Sequence, residues 1–225
     1  MSERTEGEPA SDRVSVPGIS RSEKVIEVFA TALLAVAALA TAWSGYQASL
    51  WDGIQSSNYT QASAARTEAA EQHTEANQYR LADLTVFENF IDASLDGDTE
   101  LADFYRTRFS DELEPAYDAW DALDPQGNPD APASPLAMAQ YRLPQEQEST
   151  ELTTRAEAKF AAGEQANTYS DVYTASTLFF ASALFFAAIS ERFAYQRARI
   201  SLLGFACAGL IAGIAVALTQ PVTTG

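Results

Sequence analysis

The densest group of side chains able to hold a metal ion or move a proton is Glu68, Glu71, His73 and Glu75, which includes the only histidine. Di-metal centres in helical bundles take ligands as Glu-x-x-His pairs, three residues apart, so that both project from one helix face. That spacing is absent here, and the cluster reads as solvated side chains. Nucleophilic catalysis fares no better. The single cysteine, Cys207, lies in an apolar stretch, and one histidine with one such cysteine makes no triad; no glycine loop of the phosphate-binding kind occurs either. The expectation is a protein that is not an enzyme, with no catalytic, cofactor-binding or metal-binding residues and no cofactor. The lone cysteine also rules out an intrachain disulfide.

A second kind of chemistry is ion passage, which needs polar groups inside apolar helices. Glu27 is the one ionisable residue within an apolar span, and such acids often mark ion or proton paths. Lys24 stands three residues before it, close enough on a helix to pair with it, so a snorkelling interfacial carboxylate is expected instead. Asp171, at the start of a later span, has the same reading. Hydroxyls at Thr31, Thr41, Thr174, Thr177 and Ser182 could line a pore, or could bond to carbonyls of their own helices.

These residues depend for their position on three apolar stretches, 25–43, 172–189 and 200–219, each near the ~20 residues needed to cross a bilayer. Arg21 and Lys24 before the first stretch, with Ala40, Thr41 and Ala42 at its end, resemble a signal peptide. The apolar core is too long for one and the chain continues as helix, so an uncleaved anchor is expected. The resulting plan is a disordered cytoplasmic tail (1–21), a first span (22–43), an extracytoplasmic domain (44–171), a second span (172–189), a cytoplasmic loop (190–199), a third span (200–219) and an outer tail (220–225).

Orientation follows the bias of Lys and Arg toward cytoplasmic segments. Arg4, Arg13, Arg21 and Lys24 precede the first span, and Arg192, Arg197 and Arg199 fill the short loop. Residues 44–171 hold 24 acidic and 7 basic residues, so the net charge of −17 of the whole chain belongs to that segment. So acidic a surface excludes nucleic acid as the main partner.

Residues 44–93 contain no proline and no alternating pattern, so the first span should continue outward as one helix broken only at Gly45 and Gly53. Ala62, Ala69 and Ala76 recur every seven residues, with Ala65, Gln72 and Tyr79 three further on, a seam for close helix pairing. Leu81, Leu84, Phe87, Phe90 and Ile91 form an apolar stripe, and residues 95–98 a turn with Asp98 as N-cap. A second helix is expected over 99–123, kinked at Pro115 and burying Leu101, Phe104, Phe109, Leu113, Tyr117 and Trp120. After a Pro- and Gly-rich loop at 124–135, a third helix should start near 145–151 and run into the second span. The fold class is all-α: an integral membrane protein with three transmembrane helices, a long extramembrane helical hairpin of coiled-coil type and a small helical cap.

Small residues repeat at spacing four along the first helix, at Ala37, Thr41, Gly45, Ser49, Gly53 and Ser57, and again in the third span at Gly209, Gly213 and Ala217. Such faces let helices approach closely in lipid, within the chain or between copies, and the partners expected are the lipid bilayer, a second copy of the chain and an extracytoplasmic protein. Trp43, Tyr46 and Trp51 mark the membrane interface. Asn58, with Thr60 two residues on, is a glycosylation acceptor sequence.

The run Trp43-Ser44-Gly45-Tyr46-Gln47, followed by Trp51 and Gln55, resembles uncharacterised prokaryotic three-span membrane proteins with a Trp-Ser-x-Tyr-Gln exit from the first span. The resemblance covers about thirty residues and brings no functional residues with it. Two functions remain: a non-enzymatic, oligomeric membrane scaffold or accessory protein presenting an acidic hairpin outside the membrane, and a channel or transporter subunit.

Overall fold

The computed structural model describes residues 21–193 and 195–224, apart from the side chain of Ser22. The tail expected to be disordered therefore lies outside the described residues except for Arg21. All regular structure is helical: α1 (Arg21–Leu95), α2 (Thr99–Arg106), α3 (Leu113–Asp121), a 3₁₀ turn (Pro135–Ala137), α4 (Pro144–Ser190) and α5 (Gln196–Ala217). Among the described residues there is no strand. Three of the helices, α1, α4 and α5, are long and apolar enough to cross a membrane, as a multi-pass membrane protein requires.

α1 runs unbroken for 75 residues. Gly45 and Gly53 do not interrupt it, because a single helical glycine costs only about 1 kcal/mol, less than the neighbouring turns supply. The helix ends where glycine permits what other residues resist. Gly97 adopts φ 78, the Gly97 amide donates to the Ser94 carbonyl (3.3 Å), and the Asp98 amide donates to that of Ala93 (3.0 Å). This pair of bonds satisfies the last carbonyls of α1. Asp98 then caps α2 by accepting from the Leu101 amide at 3.0 Å, as its position in the sequence suggested.

The chain falls into two compact units, the first comprising Met1–Leu50 with Tyr169–Gly225 and the second Trp51–Thr168. In the first, α1, α4 and α5 pack around Ala30, Leu33, Ala37, Phe180, Ala183, Ala187, Leu203, Ala206 and Leu210. Their spacing is close to seven residues on each helix, the period that keeps a side-chain seam facing its neighbours. Alanine dominates because the helices approach closely.

In the second unit, α1 and α4 pair antiparallel: Gln55 bonds Asn167 (2.8 Å), the Ser149 hydroxyl donates to the Ala69 carbonyl (2.9 Å), and Arg80 pairs with Glu146 (2.7 Å). Ala62, Ala65, Ala69 and Ala76 are buried along the seam, but Tyr79 is 48% exposed. The series of Ala62, Ala69 and Ala76 continues to buried Asp83, seven residues after Ala76, while the series of Ala65 and Gln72 leaves the seam at Tyr79. A larger core follows, built on Phe87, Phe109, Leu113, Ala116, Trp120, Tyr141 and Leu143.

Here the structure corrects the single helix expected over 99–123. Residues 107–112 separate α2 from α3, and Phe109 in that break is buried. Pro115 lies in the first turn of α3, where its missing N–H costs nothing, so it starts a helix and kinks none. Leu101 and Phe104 are exposed, Ala102 being the buried residue of α2, and Leu81 also points outward. The third helix opens on Pro144, and α5 begins at Gln196, inside the segment expected as a loop over 190–199, and ends at Ala217, short of residue 219.

Candidate functional site

The sequence run Trp43-Ser44-Gly45-Tyr46-Gln47 divides by helix face. Trp43 and Tyr46 are half-exposed, with ring centroids 6.3 Å apart, whereas Ser44 and Gln47 are fully buried. Buried polar side chains must be hydrogen-bonded or cost several kcal/mol. Each finds a partner on another element. Ser176 Oγ of α4 lies 3.0 Å from Ser44 Oγ and 2.6 Å from the Tyr173 carbonyl oxygen. With one proton per hydroxyl, Ser176 donates to the carbonyl and accepts from Ser44. One turn further along α1, the Ser170 hydroxyl donates to the Ala48 carbonyl at 3.1 Å.

Gln47 is held at both ends of its amide. Its Nε2 donates to the Thr223 carbonyl and its Oε1 accepts from the Thr223 amide, each at 3.0 Å. The Tyr173 hydroxyl donates to the Pro221 carbonyl at 3.2 Å. Between these anchors is a cavity of about 230 Å³, lined by Ala40, Trp43, Tyr173, Phe180, Ile214 and Val222 among others. The walls are mostly apolar, and Ser44 and Gln220 supply the polar rim. The site is an apolar recess beside a fixed set of main-chain hydrogen bonds.

The residues singled out from sequence are distributed differently. Along the first ridge, Ala37 is buried and Thr41 half-buried, while Gly45, Ser49, Gly53 and Ser57 are exposed. A spacing of four drifts by about 40° per step on a helix of 3.6 residues per turn, which carries the ridge off the buried seam. Nothing lies within 4 Å of a Cβ built at Gly45 or Gly53. In α5, by contrast, a Cβ on Gly213 would lie 2.5 Å from the Phe180 ring, and one on Gly209 would lie 3.3 Å from the Phe179 carbonyl oxygen. Those two glycines serve packing against α4, and Ala217 is half-buried. Trp51 is half-buried, and Asn58 donates its amide to the Ile54 carbonyl. Lys24 and Glu27 are both exposed.

Of the five span hydroxyls, four bond within their own helices: Thr31 to Glu27 O (2.9 Å), Thr41 to Ala37 O (2.8 Å), Thr177 to Thr174 O (2.7 Å) and Ser182 to Leu178 O (2.8 Å).

The second unit has its own buried polar centre. Asp83, 7% exposed, accepts from the Tyr141 hydroxyl (2.8 Å) and the Ser110 hydroxyl (3.0 Å), and Ser110 in turn accepts from the Leu113 amide at the start of α3 (3.0 Å). Burial, reinforced by the bond to Asp83, pushes the Tyr141 phenol well above its ordinary value. Burial and the nearby Asp121 raise Tyr117 as well. Arg106 ties α2 to α3 through Asp118 (2.6 Å) and lies over the Tyr117 and Phe109 rings, 4.4 and 4.7 Å from their centroids. Gly163, in no pattern noted in the sequence, lets α4 pack closely on Tyr59 of α1. A Cβ there would lie 2.5 Å from the Tyr59 ring.

Sequence reasoning missed Ser44, Gln47, Asp83 and Gly163. For the first two a signal existed, since Ser44 continues the seven-residue series of Ala30 and Ala37, and Gln47 that of Leu33 and Ala40. Compared with protein-family models, curated proteins and solved structures, the chain matches none.

Proposed function

We propose that this protein is a non-enzymatic membrane scaffold or accessory protein, which roots an acidic helical hairpin and its cap in the bilayer and offers them to a protein partner outside the cell membrane. The observation that carries this reading is how the span-bearing unit uses its polar groups. Ser44, Gln47, Ser170, Tyr173 and Ser176 bond one another or neighbouring main chain, and four span hydroxyls bond their own helices. A pore needs a continuous polar stripe left free for ions, so this pattern favours the scaffold over a channel or transporter subunit. The exposed face bearing Gly45, Ser49, Gly53 and Ser57, with open space above both glycines, supports assembly of several copies.

Topology is tested by single cysteines in a Cys207→Ala background. Glu100→Cys should react with a membrane-impermeant maleimide on intact cells, and Arg192→Cys only after permeabilisation; the reverse pattern overturns the outer placement of the acidic domain. Mass measurement in native lipid tests the assembly, since a stable monomer removes it. Ion flux through protein-containing liposomes above the level of empty ones would replace the scaffold by the pore.

A further inference from the structure

The connection between α4 and α5 gathers positive charge in a strongly acidic chain. Residues 190–199 hold Arg192, Arg197 and Arg199 against one carboxylate, Glu191. In the other unit Arg80 pairs with Glu146, and Arg106 with Glu114 and Asp118. Among the described residues, none of the three arginines here forms an ion pair. Arg192 and Arg197 are exposed, whereas Arg199 is half-buried and its Nε is shut off from solvent with no hydrogen-bond acceptor. An orphaned N–H on a charged group is costly, and it calls for an acceptor that the chain does not supply. Arg197 and Arg199 also stand near the start of α5, where the helix dipole opposes positive charge. A bound anion relieves both costs.

The surroundings select the kind of anion. The connection is flanked on both sides by helices apolar enough to cross a membrane, which sets it at the level of lipid headgroups. Phe193 and Tyr195 are 44% and 79% exposed, and Ile200 is 54% exposed. Aromatic and aliphatic groups left open beside arginines suit the bilayer interface, where rings lie among headgroups and guanidinium forks meet phosphate oxygens. A free phosphate in water has no use for the apolar surface. A zwitterionic headgroup brings its own cation beside the phosphate and gains less from the arginines.

We propose that Arg192, Arg197 and Arg199, with Phe193 and Tyr195, form a binding site for the phosphate headgroup of an anionic phospholipid. The site rests on α4 and α5 crossing the bilayer, and is independent of whether the chain is a scaffold or a pore.

The test places the full chain in nanodiscs of equimolar phosphatidylglycerol and phosphatidylcholine with identical acyl chains, and weighs the lipids it retains by native mass spectrometry. The parent should retain phosphatidylglycerol over phosphatidylcholine by about fivefold or more, the worth of one arginine at an anionic surface. Arg197→Gln/Arg199→Gln should bring the ratio close to one. Arg142→Gln/Arg155→Gln, which removes the same charge from the other unit, should leave it unchanged. Equal retention in the parent, or a preference that survives Arg197→Gln/Arg199→Gln, overturns the site. Displacement of phosphatidylglycerol by inorganic phosphate at constant ionic strength overturns the lipid in favour of a free anion. A chain that co-elutes with the nanodiscs and shows no preference overturns this site alone; one that does not enter them overturns the spans as well. Should Arg197→Gln/Arg199→Gln not fold, Arg192→Gln/Arg197→Gln, which changes only exposed side chains, replaces it.

Discussion

The two units solve one packing problem with opposite materials. Both bury side chains on a period close to seven, yet the first fills its seam with alanine and ties its helices by serine hydroxyls and one glutamine. The second ends in an aromatic core, with Phe87 edge-on to Trp120 and Phe90 edge-on to Phe109 and Tyr117. In water, burial of large apolar groups drives association at about 25 cal/mol per Å². Among lipid tails that force vanishes, and close approach with interhelical hydrogen bonds must serve instead. The choice of core residue thus follows the surroundings each unit's composition suits.

Four predictions break or sharpen this contrast. The largest effect belongs to Trp120→Ala, which removes a core side chain and its bond to the Pro132 carbonyl (2.7 Å). It should cost the second unit about 3–5 kcal/mol in thermal unfolding followed by near-UV circular dichroism. Loss of exchange protection in α5 in the same variant would show that the two cores are not independent. Next come Gly213→Val and Gly163→Val, one in each unit, at about 1–3 kcal/mol each. Gly213 should suffer more, because it faces the buried Phe180 ring whereas Tyr59 is half-exposed and freer to move; equal effects in detergent melts would contradict that ranking.

The third prediction concerns pH. The Tyr141 phenol titrates above its ordinary value near 10 in the folded chain, so above that pH the unfolded chain releases its proton first. Stability is therefore whole below pH 10 and falls above it, by up to about 1.4 kcal/mol per pH unit. Tyr141→Phe should flatten that part of the curve, and an unchanged slope would refute the assignment. Smallest are Gly45→Ala and Gly53→Ala, each expected to stabilise the isolated chain by about 0.5–1 kcal/mol, since open space lies above both. If either also dissociates an oligomer seen by native mass measurement, the exposed ridge is where copies meet.

The spans, the alanine seam and the Asp98 cap were legible because each is a local pattern, a run of about 20 apolar residues, a repeat of seven, a capping side chain after a turn. Tyr79, Leu81, Leu101 and Phe104 were misplaced because periodicity identifies a stripe but not which neighbour supplies its opposite wall. The break at 107–112 escaped notice for a related reason: Phe109 reaches the core only by leaving the helix. The polar site was the least legible part. Gln47 and Thr223 are 176 positions apart, and nothing local to either announces the other. Asp83 likewise looked like one more surface carboxylate until Tyr141, 58 positions away, was seen to bond it.

The amide clasp on Thr223 also places unequal evolutionary constraints on its two ends. Position 223 contributes only main-chain atoms, so every residue type that keeps an N–H is admissible there and proline alone is barred. Position 47 must offer a donor and an acceptor on one planar group at one reach, and glutamate, leucine and methionine all forfeit at least one of the two. Among descendants of this sequence, residue 47 should therefore stay fixed while residue 223 drifts, and a comparison that scored the two columns alone would find no trace of their contact.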